Sequence, residues 1–169
     1  MASGFTLIET LFATVVTVVA LVAIARLAVV ATRANRGAVS STFTVVLAAQ
    51  KVEQLRSLAW TFDAAGQPRS DTSTDTTSPR FTSGGTGLNA SPGDPLAANT
   101  VGYCDFLDDS GRSLGGGSAP PAGTAFVRRW SIGALASSSD TLVIQVLVTP
   151  IASRAGESRL ASIRTRKGT

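Results

Sequence analysis

The first third of the chain is hydrophobic without periodic relief. From Thr10 to Ala25, sixteen consecutive residues carry no charge, and neither Gly nor Pro interrupts residues 5–36. An apolar pattern with no polar face predicts a helix enclosed by lipid or by protein core. The rest of the chain holds too little apolar material to wrap such a rod on every side. A membrane span needs about 17–25 residues, and residues 5–25 reach that length only by including Glu9. An ionised carboxylate at bilayer depth costs at least ~2.5–3.5 kcal/mol, so Glu9 requires compensation.

Beyond this run the pattern changes twice. Helical spacing continues to Phe62, with Val45, Ala48, Val52, Leu55 and Ala59 on one face and Lys51, Gln54 and Arg56 placed off it. Glu53 and Arg56 form an i, i+3 pair, and Gly37 is the one breaker. A single helix over 5–62 would be roughly 87 Å long, far beyond a small globule. Only its C-terminal half can pack on a head domain. Residues 63–124 hold eleven of the sixteen glycines and six of the seven prolines, the composition of a connecting loop. Within it, the islands 101–103 and 105–107 could pair as strands or dock on the helix, and 108–111 is a turn signal. Residues 125–169 read as strands: 126–132 with mixed alternation, 142–148 β-branched and nearly continuous as a central strand, and 159–165 as a terminal, more exposed strand, with turns at 137–140 and 153–157. Three consecutive strands favour an antiparallel meander packed on the helix. Arg128 and Arg129 alternate across that sheet. The expected fold class is α+β: a long N-terminal helix on a small antiparallel sheet.

Composition narrows the chemistry. The 169 residues contain no His and a single Cys, Cys104. His-based catalysis and intramolecular disulfides are thereby excluded, and no catalytic residue, cofactor or metal ligand is expected. Asp105, Asp108 and Asp109 do not follow the calcium-loop spacing. Gly115–Gly117 lacks the Gly-Lys-Ser/Thr of a phosphate loop. The net charge of +4 is mild. A basic stripe of Arg154, Arg159, Arg164 and Arg166 on one face would support a membrane-tethered module binding DNA or a surface ligand. Cys104 is open to two readings, a small buried hydrophobe or an intersubunit disulfide partner.

Two readings of Glu9 stand side by side. Thr6-Leu-Ile-Glu9 fits a capping box, with Thr6 as N-cap. Alternatively, the carboxylate pairs between subunits, with the free α-amino group that Phe5 gains if the chain is cut after Gly4.

Gly4-Phe5-Thr6-Leu7-Ile8-Glu9, followed by the unbroken apolar run, resembles the processing signal of type IV pilins and type II secretion pseudopilins. The resemblance implies a leader at 1–4, cleavage between Gly4 and Phe5 by a prepilin peptidase, and N-methylation of Phe5. It also implies an assembly role for Glu9 and a pilin-like fold, with residues 5–25 serving as transmembrane segment and later as filament core. The leader lacks the Lys or Arg usual in the family; Arg26, Arg33 and Arg36 follow the run instead. The stretches 47–56 and 128–130 and the closing strands are similar to minor pilins of the type IV pilus modification group. The lone Cys, unable to close a C-terminal disulfide, agrees with a minor subunit. The implied partners are other pilin subunits through the helix, the prepilin peptidase, an inner-membrane assembly platform, and lipid before assembly. The implied location is a single-pass inner-membrane protein with a periplasmic head, then a filament. The alternative within the family is a pseudopilin.

Overall fold

The computed structural model describes residues 6–152 and 156–166, and Arg36 in its backbone alone. Helix α1 (Leu7–Ser57) is 51 residues long and runs through Gly37 without a break. The chain divides into two compact units, Met1–Val39 and Ser40–Thr169. The second holds the last part of α1 and every strand.

Two small antiparallel hairpins follow the helix: β1 (Trp60–Phe62) with β2 (Pro68–Ser70), and β3 (Thr74–Asp75) with β4 (Thr82–Ser83). Strands β5 (Cys104–Leu107), β6 (Ser113–Gly116), β7 (Phe126–Leu135), β8 (Ser138–Pro150) and β9 (Ser158–Thr165) form one antiparallel sheet in the order β6-β5-β7-β8-β9. The expected meander is its β7–β8–β9 part. The fold is α+β, a long N-terminal helix whose C-terminal part packs on a small antiparallel sheet. Leu142, Ile144, Val146 and Val148 of β8 and Trp130 and Ile132 of β7 meet Leu47, Ala48, Val52 and Leu55 of α1 in the main core. On the opposite sheet face, Cys104, Phe106 and Val127 form a second, smaller cluster.

Four expectations change. The helix ends at Ser57, not Phe62. The aromatic and β-branched run Trp60-Thr61-Phe62 favours a strand and pairs with Ser70, Arg69 and Pro68. Meanwhile the Arg164 guanidinium donates to the Leu55 and Leu58 carbonyls at 3.3 and 2.6 Å, closing the helix C-terminus with a cation. The tract 63–124 is more than a connecting loop: it supplies the second strand of the first hairpin, all of the second hairpin and, in β5, a fully buried inner strand. The turn between β7 and β8 is the two-residue Ala136-Ser137, shorter than 137–140. Asp140 lies in the strand because its carbonyl receives Trp60 Nε1–H and Arg166 N–H, and its carboxylate receives Arg166 Nε–H. Finally, the buried helix face is rotated from the predicted stripe. Val45 is 43% exposed and Ala59 lies exposed beyond the helix, whereas Lys51 is buried.

Lys51 sits in a closed polar group that pins α1 to the sheet. Its ammonium lies 2.8 Å from Asp105 Oδ2, donates to the Thr76 carbonyl and to Gln54 Oε1, and stands 4.2 Å from the centroid of the buried Trp130 ring. Asp105 on β5 also receives both Nε–H and Nη2–H of Arg128 on β7, at 2.9 and 2.7 Å. Arg128 Nη1 returns to the Leu47 carbonyl of the helix. A second tie lies one end of the sheet away. Thr44 Oγ1 donates to the Gly156 carbonyl and, with its proton so placed, accepts from Ser158 Oγ at 2.7 Å. Gly156 has φ +93°, and a Cβ there would meet Ser40 Oγ at 2.7 Å, so only glycine lets the β8–β9 turn approach the helix this closely.

Burial pushes the Lys51 ammonium down to about 8, with Asp105 opposing that shift and Arg128 adding to it. A base whose folded-state value lies below its ordinary 10.5 releases its proton first from the native state. Lys51's contribution to stability therefore rises between about pH 8 and pH 10.5 and is flat below, a span worth roughly 3 kcal/mol. Burial also raises Tyr103 and Cys104, whose contributions fall with pH in the alkaline range. The expected result is thus a difference: wild type gains stability on Lys51→Met as pH climbs through that window. Urea unfolding of both proteins at pH 7 and pH 10 measures it. Parallel pH curves would contradict it.

Candidate assembly helix

The N-terminal part of α1 is helical because nothing in it disfavours a helix strongly: Ala and Leu offset the β-branched Val residues. Thr6 precedes the first turn, and its carbonyl accepts the N–H groups of Glu9 and Thr10 at 3.1 and 3.2 Å. The Glu9 N–H that a capping box assigns to the Thr6 hydroxyl goes to that carbonyl instead.

Every described side chain from residue 6 to residue 39 is exposed. Leu11, Val15, Val18 and Val22 on one side, and Phe12, Val16, Val19 and Ile24 around the others, are between 49 and 71% exposed. No arc of this segment is reserved for water. The helix is long and apolar enough to cross a membrane.

Its hydroxyl groups fit the same environment. Thr10 donates to the Leu7 carbonyl, Thr14 to Thr10, Thr17 to Ala13 and Thr32 to Ala28, all at 2.7–2.8 Å. Each hydroxyl proton is satisfied within the helix and asks nothing of an apolar surrounding. Two polar side chains remain between residues 7 and 32, Glu9 and Arg26. Neither has a hydrogen bond or ion pair among the described residues.

Gly4 and Phe5, the expected cleavage and methylation residues, lie outside the described residues, as does Arg154. The remaining arginines do not form a stripe. Strand alternation puts Arg159 on the outer face of β9, beside Gln145, and Arg164 on the helix side. Arg166 stacks on Trp60 at 3.6 Å and donates to the Thr61 and Arg69 carbonyls, which ties the end of β9 to the β1–β2 hairpin. Arg128 and Arg129 do alternate: Arg128 enters the core, and Arg129 reaches Asn99 Oδ1 at 2.8 Å on the other face. Asp105 is held by two cations in the core while Asp108 closes its own turn, accepting the N–H groups of Ser110 and Arg112; the structure does not gather the three aspartates. Cys104 is fully buried and donates to the Gly117 carbonyl at 3.0 Å, the small-hydrophobe reading. A thiol so placed is not available for an intersubunit disulfide.

The group that sequence reasoning missed is Lys51–Asp105–Arg128. One signal pointed to it: Leu47, Ala48, Lys51, Val52 and Leu55 share one helical arc, and a lysine inside that arc needs a buried counter-charge.

No family model matches this chain, and no curated protein or solved structure matches it.

Proposed function

We propose that this chain is a structural subunit of a type IV pilus-like filament, in the manner of a minor pilin. In this reading a prepilin peptidase removes residues 1–4 and N-methylates Phe5. The helix then holds the protein in the inner membrane with its head in the periplasm. On the assembly platform the helix leaves lipid for a core shared with other subunits. The head initiates, caps or modifies the filament and is not an enzyme.

The observation that carries this reading is the segment of α1 between residues 7 and 32. It is apolar on all sides, its threonines are internally satisfied, and one carboxylate near its start has no partner among the described residues. Lipid alone accounts for the apolar surface and the threonines. It does not account for Glu9, because a carboxylate in a monomeric span is a net cost of a few kcal/mol. A neighbouring subunit that supplies a cation removes that cost at one axial displacement only, so Glu9 sets register. A DNA-binding module is less well supported: Arg159 and Arg164 lie on opposite faces of β9, and Arg164 and Arg166 are engaged within the head.

The test is Glu9→Ala. The variant is expected to be processed and to reach the membrane at the wild-type level, yet to fall about tenfold or more in the sheared-filament fraction. Wild-type incorporation would remove the register role. Wild-type protein found only in the periplasmic fraction, associated with an outer-membrane secretin, would favour the pseudopilin alternative.

A further inference from the structure

The Lys51–Asp105–Arg128 group closes its hydrogen bonds to the helix but not its charge. Two cations share one carboxylate, which leaves one positive charge in excess within the core. The next acid, Asp75 on β3, is the weakest of the influences on Lys51, and its carboxylate is engaged by the N–H and hydroxyl of Thr77. Buried charges are ordinarily paired. Arg128 also holds donors in reserve. Its Nε, Nη1 and Nη2 each make one hydrogen bond, to Asp105 or to the Leu47 carbonyl. Each terminal nitrogen therefore keeps one further N–H without a partner among the described residues.

Arg128 is only 7% exposed, yet it lines a groove of about 320 Å³ on the head. Gln50 and Gln54 of α1 form one side of this groove, Pro79 and Phe81 of the β3–β4 turn another, and Leu107 and Ser113 a third. Gln54 is spoken for: its Oε1 accepts from Lys51 and its Nε2 donates to the Ser78 carbonyl. The Gln50 amide has no hydrogen bond among the described residues. Phe81 presents a large apolar ring to solvent, 61% exposed. One groove thus joins a buried cation in excess, a free amide and an apolar wall.

We infer that this groove binds the C-terminal carboxylate of a partner polypeptide whose last side chain is apolar. The inference rests on the reading of the chain as a filament subunit whose head contacts other proteins, and it specifies the place and the chemistry of that contact. The carboxylate brings the missing negative charge and accepts the spare Arg128 N–H groups, a charge-assisted contact. A chain end carries its carboxylate and its last side chain on the same Cα. The charge can face Arg128 while the side chain lies on Leu107 and Phe81, and the Gln50 amide can pair with the last peptide groups. An acidic side chain would bring the charge without a second apolar group to cover Phe81. A phosphate would exceed the single excess charge and leave both Phe81 and Pro79 uncovered. The volume is at the small end of ligand clefts, which run from about 300 to 1,000 Å³, and suits a chain end better than a longer segment.

The experiment titrates the full-length chain in detergent calorimetrically with hexapeptides Gly-Ser-Gly-Ser-Val-X, where X is Phe, Leu, Ile or Val. At least one with a free C-terminal carboxylate is expected to bind, and its C-terminal amide to bind about tenfold more weakly or less. Arg128 variants risk unfolding the head, so the charge is tested from the exposed rim. Gln50→Glu is expected to weaken binding about tenfold, and Gln50→Lys to leave it within about threefold or strengthen it. Phe81→Ser is expected to weaken it about fivefold or more. Near-ultraviolet dichroism from Trp130 verifies that each variant keeps its core. No binding by any of the peptides, or equal binding of acid and amide, would overturn the inference. So would equal affinity for N-acetylphenylalanine, which would make the ligand a free small acid, or for an amidated peptide with an internal Glu, which would make it an acidic side chain. Wild type that enters filaments but binds no peptide overturns this inference alone. Wild type that is absent from filaments overturns the filament reading, whatever the titration gives.

Discussion

Asp105→Ala is expected to destabilise the head by about 3–5 kcal/mol, the usual consequence of stranding a buried ion. The carboxylate is 0% exposed as a residue and lies between two cations, Lys51 at 2.8 Å and Arg128 at 2.7 Å. Removing it leaves both cations in the core, one from the helix and one from β7, facing each other without an anion. Against a total stability of 5–15 kcal/mol for a typical domain, that loss leaves the head marginal or unfolded. Lys51→Met is expected to be far milder, because Asp105 and Arg128 still satisfy each other through two hydrogen bonds and an apolar side chain of similar length fills the space beside Trp130. The order of the two variants is the informative result. Urea midpoints at neutral pH give it, and equal losses would mean that the three charges do not act as one group.

Deleting residues 1–39 is expected to turn a chain that needs detergent into a protein that is monomeric in plain buffer. The deleted part contributes exposed Leu, Ile, Val and Phe side chains on every side of the helix, far more contiguous apolar surface than monomeric soluble proteins carry. The retained part, Ser40–Thr169, is a compact unit with its own core and both ties of the helix to the sheet. Light scattering coupled to gel filtration distinguishes the two outcomes, and near-ultraviolet dichroism from Trp60 and Trp130 reports whether the core survives. A fragment that aggregates with its core intact would mean that the head exposes an adhesive surface of its own.

Much of this architecture was legible in the sequence because it rests on local signals. The apolar run of α1 needs no partner to be recognised, and β8 announces itself through the β-branched, nearly continuous run 142–148. What was not legible depends on residues distant along the chain. Lys51 reads as a solvated lysine until Asp105 and Arg128 are brought to it by strands far beyond the helix. Strand β5 is only Cys-Asp-Phe-Leu, too short to show a period, and its aspartate looks like a surface residue. The helix terminus was misplaced because its stop signal is neither Gly nor Pro but the Arg164 guanidinium, delivered by the last strand. At the candidate site the balance is similar. Glu9 stood out because a carboxylate in an apolar tract is costly anywhere, whereas the bonds that satisfy the hydroxyls of Thr10, Thr14, Thr17 and Thr32 show only on the folded helix.

The central claim is that the chain is processed at its N-terminus and then built into a filament. Intact mass and N-terminal sequencing of the protein recovered from membranes and from sheared filaments tests both steps in one sample. The account predicts a chain that begins at N-methylated Phe5 and is present in the filament fraction. A chain that retains residues 1–4 in a host with active processing machinery, or that is absent from filaments altogether, would contradict it.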